Sequence, residues 1–226
     1  MDLGRPTMET RTSRSTSGIT KFVHVFGIMA FVLLLVWLLH YREGLNYFSN
    51  NPYRVFNVHP FLMVFGLILF SGEALVAYKT VPWERKVQKN VHMLLNLTAF
   101  ILGAVGIRAV FKFHGMMHIQ NMYSIHSWIG IVTICAYGLQ WVIGLYTFMV
   151  GGTSQMIRAR VQPWHVCFGR TIFYMAICAA LTGFMEKATF QELTDQHEAW
   201  VLNFAGLSVL LFGIFVDLSV ALACYV

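Results

Sequence analysis

The sequence predicts an all-α fold, a bundle of six transmembrane helices, and three observations predict it. Of the 226 residues 57% are hydrophobic and 12% charged, whereas a soluble domain carries roughly twice that charged share. Mean hydropathy is +0.62. Apolar runs long enough to cross a hydrocarbon core of about 30 Å, which takes about 20 helical residues, recur six times with short polar connectors between them. Helices are required because lipid offers no partner to an unpaired backbone N–H. The short alternating strands of a membrane barrel are absent from the pattern.

The spans run approximately from Phe22 to His40, Asn57 to Tyr78, Val91 to Phe111, Ser124 to Phe148, Pro163 to Phe184 and Trp200 to Cys224. The first follows a polar, basic stretch holding Arg5, Arg11, Arg14 and Lys21. Its apolar run is too long for a signal peptide and ends without a small-residue cleavage site, so it reads as a retained helix. Residues 1–21 are then a cytoplasmic arm and 22–226 one membrane domain. Asn50-Asn51-Pro52 and Gly151-Gly152-Thr153-Ser154 are plain turn signals. Cys135, Cys167, Cys178 and Cys224 lie inside apolar runs and read as small buried thiols, without metal-ligand or disulfide spacing.

Basic residues set the orientation. Lys79, Arg85, Lys86, Lys89, Arg158 and Arg160 fall with the N-terminal arm on one side, while the other side holds Arg42, Arg54, Lys112 and Lys187. Positive charge gathers in the cytoplasm, so both termini are expected there. Glu192, Asp195 and Glu198 sit on the far side. Trp37, Tyr41, Tyr47 and Trp83 read as interfacial belt. No soluble basic face exists to suggest a nucleic-acid partner.

Histidine carries the chemistry. Of nine, His59, His92, His126 and His165 stand near the starts of four consecutive spans, where an ionisable side chain is costly and points to function. Up-and-down topology places His59 with His126 near the non-cytoplasmic face and His92 with His165 near the other. The two helix hairpins echo one another, as in parallel-repeat membrane proteins. A zinc site would want further Cys, His or carboxylate ligands, which the spans scarcely supply. A haem brings four nitrogens of its own and leaves two axial positions for neutral imidazoles. Gly66, Gly103, Gly106, Gly130, Gly144 and Gly169 offer close backbone approach. Two haem b groups per chain within the core four helices are expected. Arg85, Lys89 and Arg158 precede the inner ligands and offer a cationic dock for a small anion, or merely follow the positive-inside bias.

The stretches FNVHP (Phe56–Pro60), GLILFSGEALVAYK (Gly66–Lys79), VHMLLNLTAF (Val91–Phe100), KFH (Lys112–His114), YSIHSW (Tyr123–Trp128) and PWHV (Pro163–Val166) together resemble the b561-type transmembrane cytochromes, the plant branch above all, over essentially all six spans. The resemblance implies a transmembrane ascorbate ferrireductase, an oxidoreductase that passes electrons from cytoplasmic ascorbate to monodehydroascorbate or ferric chelates. It implies the same histidine pairing, Arg85, Lys89 and Arg158 at the ascorbate site, and His114, in the loop after helix three, at the acceptor site. It also implies haem-propionate contacts at Lys79, at Asn121, Met122, Tyr123 and Ser124, and at Glu186 after helix five. An endomembrane, vacuolar or tonoplast, is favoured over the plasma membrane, and a homodimer stays open.

Glu73, Asn96, Gln140 and Asp217 stay open between partners of the ligand imidazoles and interhelical glue, and spacing does not separate Arg158 from Arg160. His24 and His40 are rival ligands without counterparts in the repeat. A quinone-linked haem anchor and a haem-free proton-relay transporter remain alternatives.

Overall fold

The computed structural model describes the backbone of residues 8–193 and 196–223 and the side chains of 18–193 and 197–222. Arg5, Asp195, Cys224 and the side chains of Arg11 and Arg14 lie outside the described residues. Among the described residues every regular element is helical. Six helices are long and apolar enough to span a bilayer: α1 (Gly18–Tyr41), α2 (Pro52–Thr80), α3 (Arg85–Met117), α4 (Ile125–Phe148), α5 (Gln155–Phe190) and α6 (His197–Leu222). The chain is an integral, multi-pass membrane protein.

Most helices outrun their apolar runs. Helix α5 starts at Gln155, capped by the Ser154 hydroxyl on the Ile157 N–H (3.3 Å), so Pro163 lies inside it and does not open it. Helix α3 begins at Arg85, six residues before the apolar run, and α2 at Pro52 under an Asn51 cap on the Tyr53 N–H (2.9 Å). Helical backbone already runs from Met8, within the segment expected as an arm. Hydropathy marks where lipid ends, whereas caps mark where a helix ends.

Packing arranges the helices as two close pairs, α2 with α3 and α4 with α5, which approach one another less tightly. Helices α1 and α6 pack along each other and close one flank: Phe22 and Phe26 stack on Phe215 at 5.1 and 5.3 Å. The expectation that Trp37 belongs to an interfacial belt is corrected. Its side chain is 1% exposed and its indole N–H donates to Glu198 Oε1 (2.8 Å), which also pairs with Arg42. Cys135, Cys167 and Cys178, expected to be buried, lie exposed on the outer surface that faces lipid. An apolar run cannot say which of its faces meets protein, because in a membrane both faces are apolar.

Candidate functional site

The starts of α2 and α4 lie at one end of the bundle and those of α3 and α5 at the other, so the four histidines meet in two pairs. The rings of His59 and His126 face one another with centres 6.1 Å apart and planes at 90°. Those of His92 and His165 are 6.3 Å apart at 66°.

Each ring is aimed by the neighbouring helix. His59 Nδ1 meets the Gly106 carbonyl (3.1 Å), His126 Nδ1 the Ala179 carbonyl (2.8 Å) and His92 Nδ1 the Ala74 carbonyl (2.8 Å). A carbonyl can only accept, so Nδ1 carries the proton in these three and the Nε2 lone pair is left free. The repeat is visible here, since Gly106 and Ala179 each stand fourteen residues beyond the other ligand of their helix. His165 differs: its Nδ1 lies 3.1 Å from the Gln140 side-chain amide.

Two glycines make room. A Cβ at Gly144 would stand 2.8 Å from His165 Cε1, and one at Gly183 2.8 Å from His126 Cε1. Of the glycines expected to allow close approach, Gly66, Gly103 and Gly106 face neighbours at 2.6–3.0 Å, Gly169 is only 3.4 Å from Gln140, and Gly130 has nothing within 4 Å.

A cavity of about 640 Å³ opens between His59 and His126, within the range of small-molecule and cofactor sites. His114, Met122, Tyr123, Ser124, Glu186 and Lys187 also line it. His114 sits in the last turn of α3, not in the following loop, and its ring meets Asn121 Oδ1 (2.8 Å). Glu186 lies within α5, not after it. Burial, and then the Glu186 carboxylate, push the Tyr123 phenol above its ordinary value.

At the other end Arg85 is exposed, with its guanidinium 4.4 Å above the Tyr78 ring, which in turn packs on His92 at 5.4 Å. Lys89 is half-buried. Arg158 is half-buried too, and its Nε is buried without a hydrogen-bond partner, whereas Arg160 is exposed. Lys79 turns toward α6 and donates to the Ser219 carbonyl.

A sequence model of eukaryotic cytochrome b561 matches residues 58–191, more than half the chain. The chain belongs to the cytochrome b561 family. Curated relatives agree in length as well as sequence. A transmembrane ascorbate ferrireductase 2 of Arabidopsis thaliana is 43% identical over 203 residues, covering 88% of each chain. A probable ascorbate-specific transmembrane electron transporter 1 of Oryza sativa subsp. japonica is 42% identical over 199 residues, 86% of this chain and 85% of the relative. A plasma membrane ascorbate-dependent reductase of Xenopus tropicalis is 37% identical over 198 residues, 84% of this chain and 69% of the relative.

Membership of the b561 family implies haem b, and the residues fit it. Two imidazoles bound to one metal from opposite sides, at about 2 Å per metal–nitrogen bond, place their ring centres roughly 6 Å apart, as both pairs do. Among the described residues no group of three or more His, Cys, Asp or Glu could hold a bare ion, so the remaining donors must come with the metal.

Among the polar residues left open by sequence, two touch the pairs and two do not. Asn96 Nδ2 lies 3.4 Å from His92 Nε2, and Gln140 approaches His165. Glu73 instead meets His24 (3.0 Å), and Asp217 takes a two-pronged grip from Arg170 (2.5 and 2.9 Å). His40 packs on Tyr41, away from either pair. Sequence reasoning missed Lys187, whose ammonium sits 4.1 Å over the Phe56 ring at the cavity. It also missed Gly183 and Trp141, whose indole donates to the Met93 carbonyl beside His92 (3.1 Å). A lysine adjoining Glu186, and a Gly on the helix facing His126, were the available signals.

Proposed function

We propose that the chain carries electrons across the bilayer from cytoplasmic ascorbate to monodehydroascorbate or a ferric chelate, using two haem b groups. His92 and His165 would hold one and His59 and His126 the other. Haem with both axial positions filled by imidazole supplies reversible one-electron exchange and leaves no open site for oxygen chemistry. The observation that carries this reading is the meeting of two imidazole pairs at opposite ends of the same four helices, with ring centres 6.1 and 6.3 Å apart.

The protein's own part is to hold and to dock. Nδ1–H donation to main-chain carbonyls fixes ring orientation and strengthens Nε2 as a ligand. The ends of α3 and α5 that carry Arg85, Lys89 and Arg158 face the cytoplasm in this reading, in keeping with the positive-inside rule. Ascorbate is a monoanion, and Arg158, with an unmet buried donor, is the strongest anchor for it; Arg85 and Lys89 add charge at the rim. At the far end, His114, held by Asn121, receives the acceptor. Asn121, Met122, Tyr123 and Ser124 border the propionates of the far haem. Glu186 stands beside Lys187, which offsets its charge there. Lys79, shared with the Ser219 carbonyl, serves the cytoplasmic haem. The haem type and ascorbate dependence follow the family and the names of the relatives.

The test is ascorbate titration of wild type, His92→Ala and His59→Ala, each with its haem content measured. Wild type should carry two haems; loss of His92 should block fast reduction from the cytoplasmic side, and loss of His59 should spare entry and block exit. Equal entry rates in all three would reject the direction, and fewer than two haems in wild type would reject the count. Reduction by a quinol in place of ascorbate would favour the quinone-linked anchor.

A further inference from the structure

The two histidine pairs are not chemically equivalent. At His59 and His126 the ring contacts come mainly from the Gly106 and Ala179 carbonyls, with the Thr182 hydroxyl at 3.5 Å from His126. At the second pair two side-chain amides intervene. Asn96 Nδ2 donates to the His92 carbonyl (2.7 Å) and lies 3.4 Å from His92 Nε2. Gln140 Nε2 donates to the His165 carbonyl (2.7 Å) and lies 3.1 Å from His165 Nδ1.

Neither amide is free to drift. The Tyr137 hydroxyl donates to Asn96 Oδ1 (2.5 Å) and meets the Ser71 hydroxyl at 2.8 Å. Tyr137 and Ser71 are both buried, and the Tyr137 ring lies parallel to Phe100 at 6.3 Å. Gln140 has a Cβ-sized space beside it only because residue 169 is glycine. The repeat supplies an internal comparison. One turn beyond His92 stands Asn96, and one turn beyond His165 stands Gly169. The Asn96 amide is therefore no generic feature of the duplicated hairpin.

Amide N–H groups held in a buried, low-dielectric place keep their partial positive charge near the rings they touch. Such charge favours the reduced, less positive state of whatever metal group those rings bind, and the outer shell of a metal site tunes it. Interhelical glue would need none of this placement beside the rings.

We propose that Asn96, braced by Tyr137, and Gln140 are positioning residues that orient His92 and His165 and set the one-electron potential of their haem above that of the haem at His59 and His126. The proposal rests on the reading that both pairs hold haem. No proton or bond changes hands in this role, which acts through orientation and fixed dipoles.

The experiment is a spectroelectrochemical titration of the intact protein in detergent, with ferric EPR, on wild type, Asn96→Leu, Gln140→Leu, Tyr137→Phe and, at the other pair, Thr182→Val. At a fixed potential the reduced-to-oxidised ratio of one haem should fall threefold to tenfold in the two leucine variants, a tenfold change being about 59 mV for one electron. Tyr137→Phe should give a smaller fall and a changed EPR signal of the same haem, while the second haem stays put. Thr182→Val should leave the shifting haem untouched. Tyr137→Phe keeps the ring stack and removes one hydroxyl, so it carries the test if a leucine variant does not assemble. Two haems present with both potentials unmoved would overturn the proposal, as would equal shifts at both. A wild type lacking two haems would instead reject the underlying reading, and the proposal with it.

Discussion

Substituting Gly183 or Gly144 by alanine separates the two pairs with a single methyl group. At Gly183 the added carbon would stand 2.8 Å from His126 Cε1 and 3.1 Å from Nδ1; at Gly144 it would stand 2.8 Å from His165 Cε1. Carbon–carbon contacts are optimal at about 3.5–4.0 Å, so the ring must withdraw by roughly 0.7 Å or turn out of line. At His126 that movement strains the 2.8 Å bond to Ala179, worth about 0.5–1.5 kcal/mol net. Overpacking adds about 1–3 kcal/mol. Alanine is the better helix former by about 1 kcal/mol, so the fold itself should change little while the imidazole is displaced. A cost of about 1–3 kcal/mol on the ligand is roughly a 5- to 150-fold loss in affinity. The assay is haem per protein by pyridine haemochrome, titrated with added haem. Gly183→Ala should weaken only the haem at His59 and His126, and Gly144→Ala only the other. Gly130→Ala, where a Cβ meets nothing within 4 Å, is the control and should keep full occupancy. Full occupancy with unchanged spectra in both test variants, or equal losses in all three, would refute the steric reasoning.

Two more outcomes follow from the two ends of the bundle. Arg158→Gln should raise the KM for ascorbate about tenfold or more, as expected for loss of a charge-assisted hydrogen bond worth about 1.5–3 kcal/mol. The exposed Arg160→Gln should change it by less than threefold, and equal effects in steady-state kinetics would remove Arg158 from the dock. The raised Tyr123 value keeps its phenol protonated through and above pH 10. Ultraviolet titration of wild type against Tyr123→Phe should show its phenolate appearing only above that pH. Because the folded pKa exceeds the unfolded one, Tyr123 contributes stability below pH 10 that is lost as pH rises through the folded value. Ionisation of Tyr123 below pH 10 would contradict the burial that the fold gives it.

How much of the site could be read in advance depends on the range of the forces involved. Six spans and two histidine pairs follow from hydropathy and chain direction, because a helix that crosses the bilayer once must return, and depth then follows from sequence position. Helix ends did not follow. Arg85 and Gln155 begin their helices well outside the apolar runs, since caps at Ser154 and Asn51 act on local hydrogen bonds and not on hydropathy. Nor did Trp37, which composition assigns to the interface and which the Glu198 carboxylate draws inside.

Sequence by itself determined that the chain lives in a membrane, how many times it crosses, and that four imidazoles lie in two layers, because burial in lipid acts on every residue independently of its neighbours. Tertiary structure alone decided which of four similar polar residues touch those imidazoles. Asn96 and Gln140 do, whereas Glu73 and Asp217 pair elsewhere. It also decided that Arg158 turns inward while Arg160 does not, and that the cysteines face lipid. These outcomes depend on the rotation of each helix about its axis, which is set by interdigitating side chains such as Phe212 against Gly72. A span that is apolar on every side leaves that rotation unwritten.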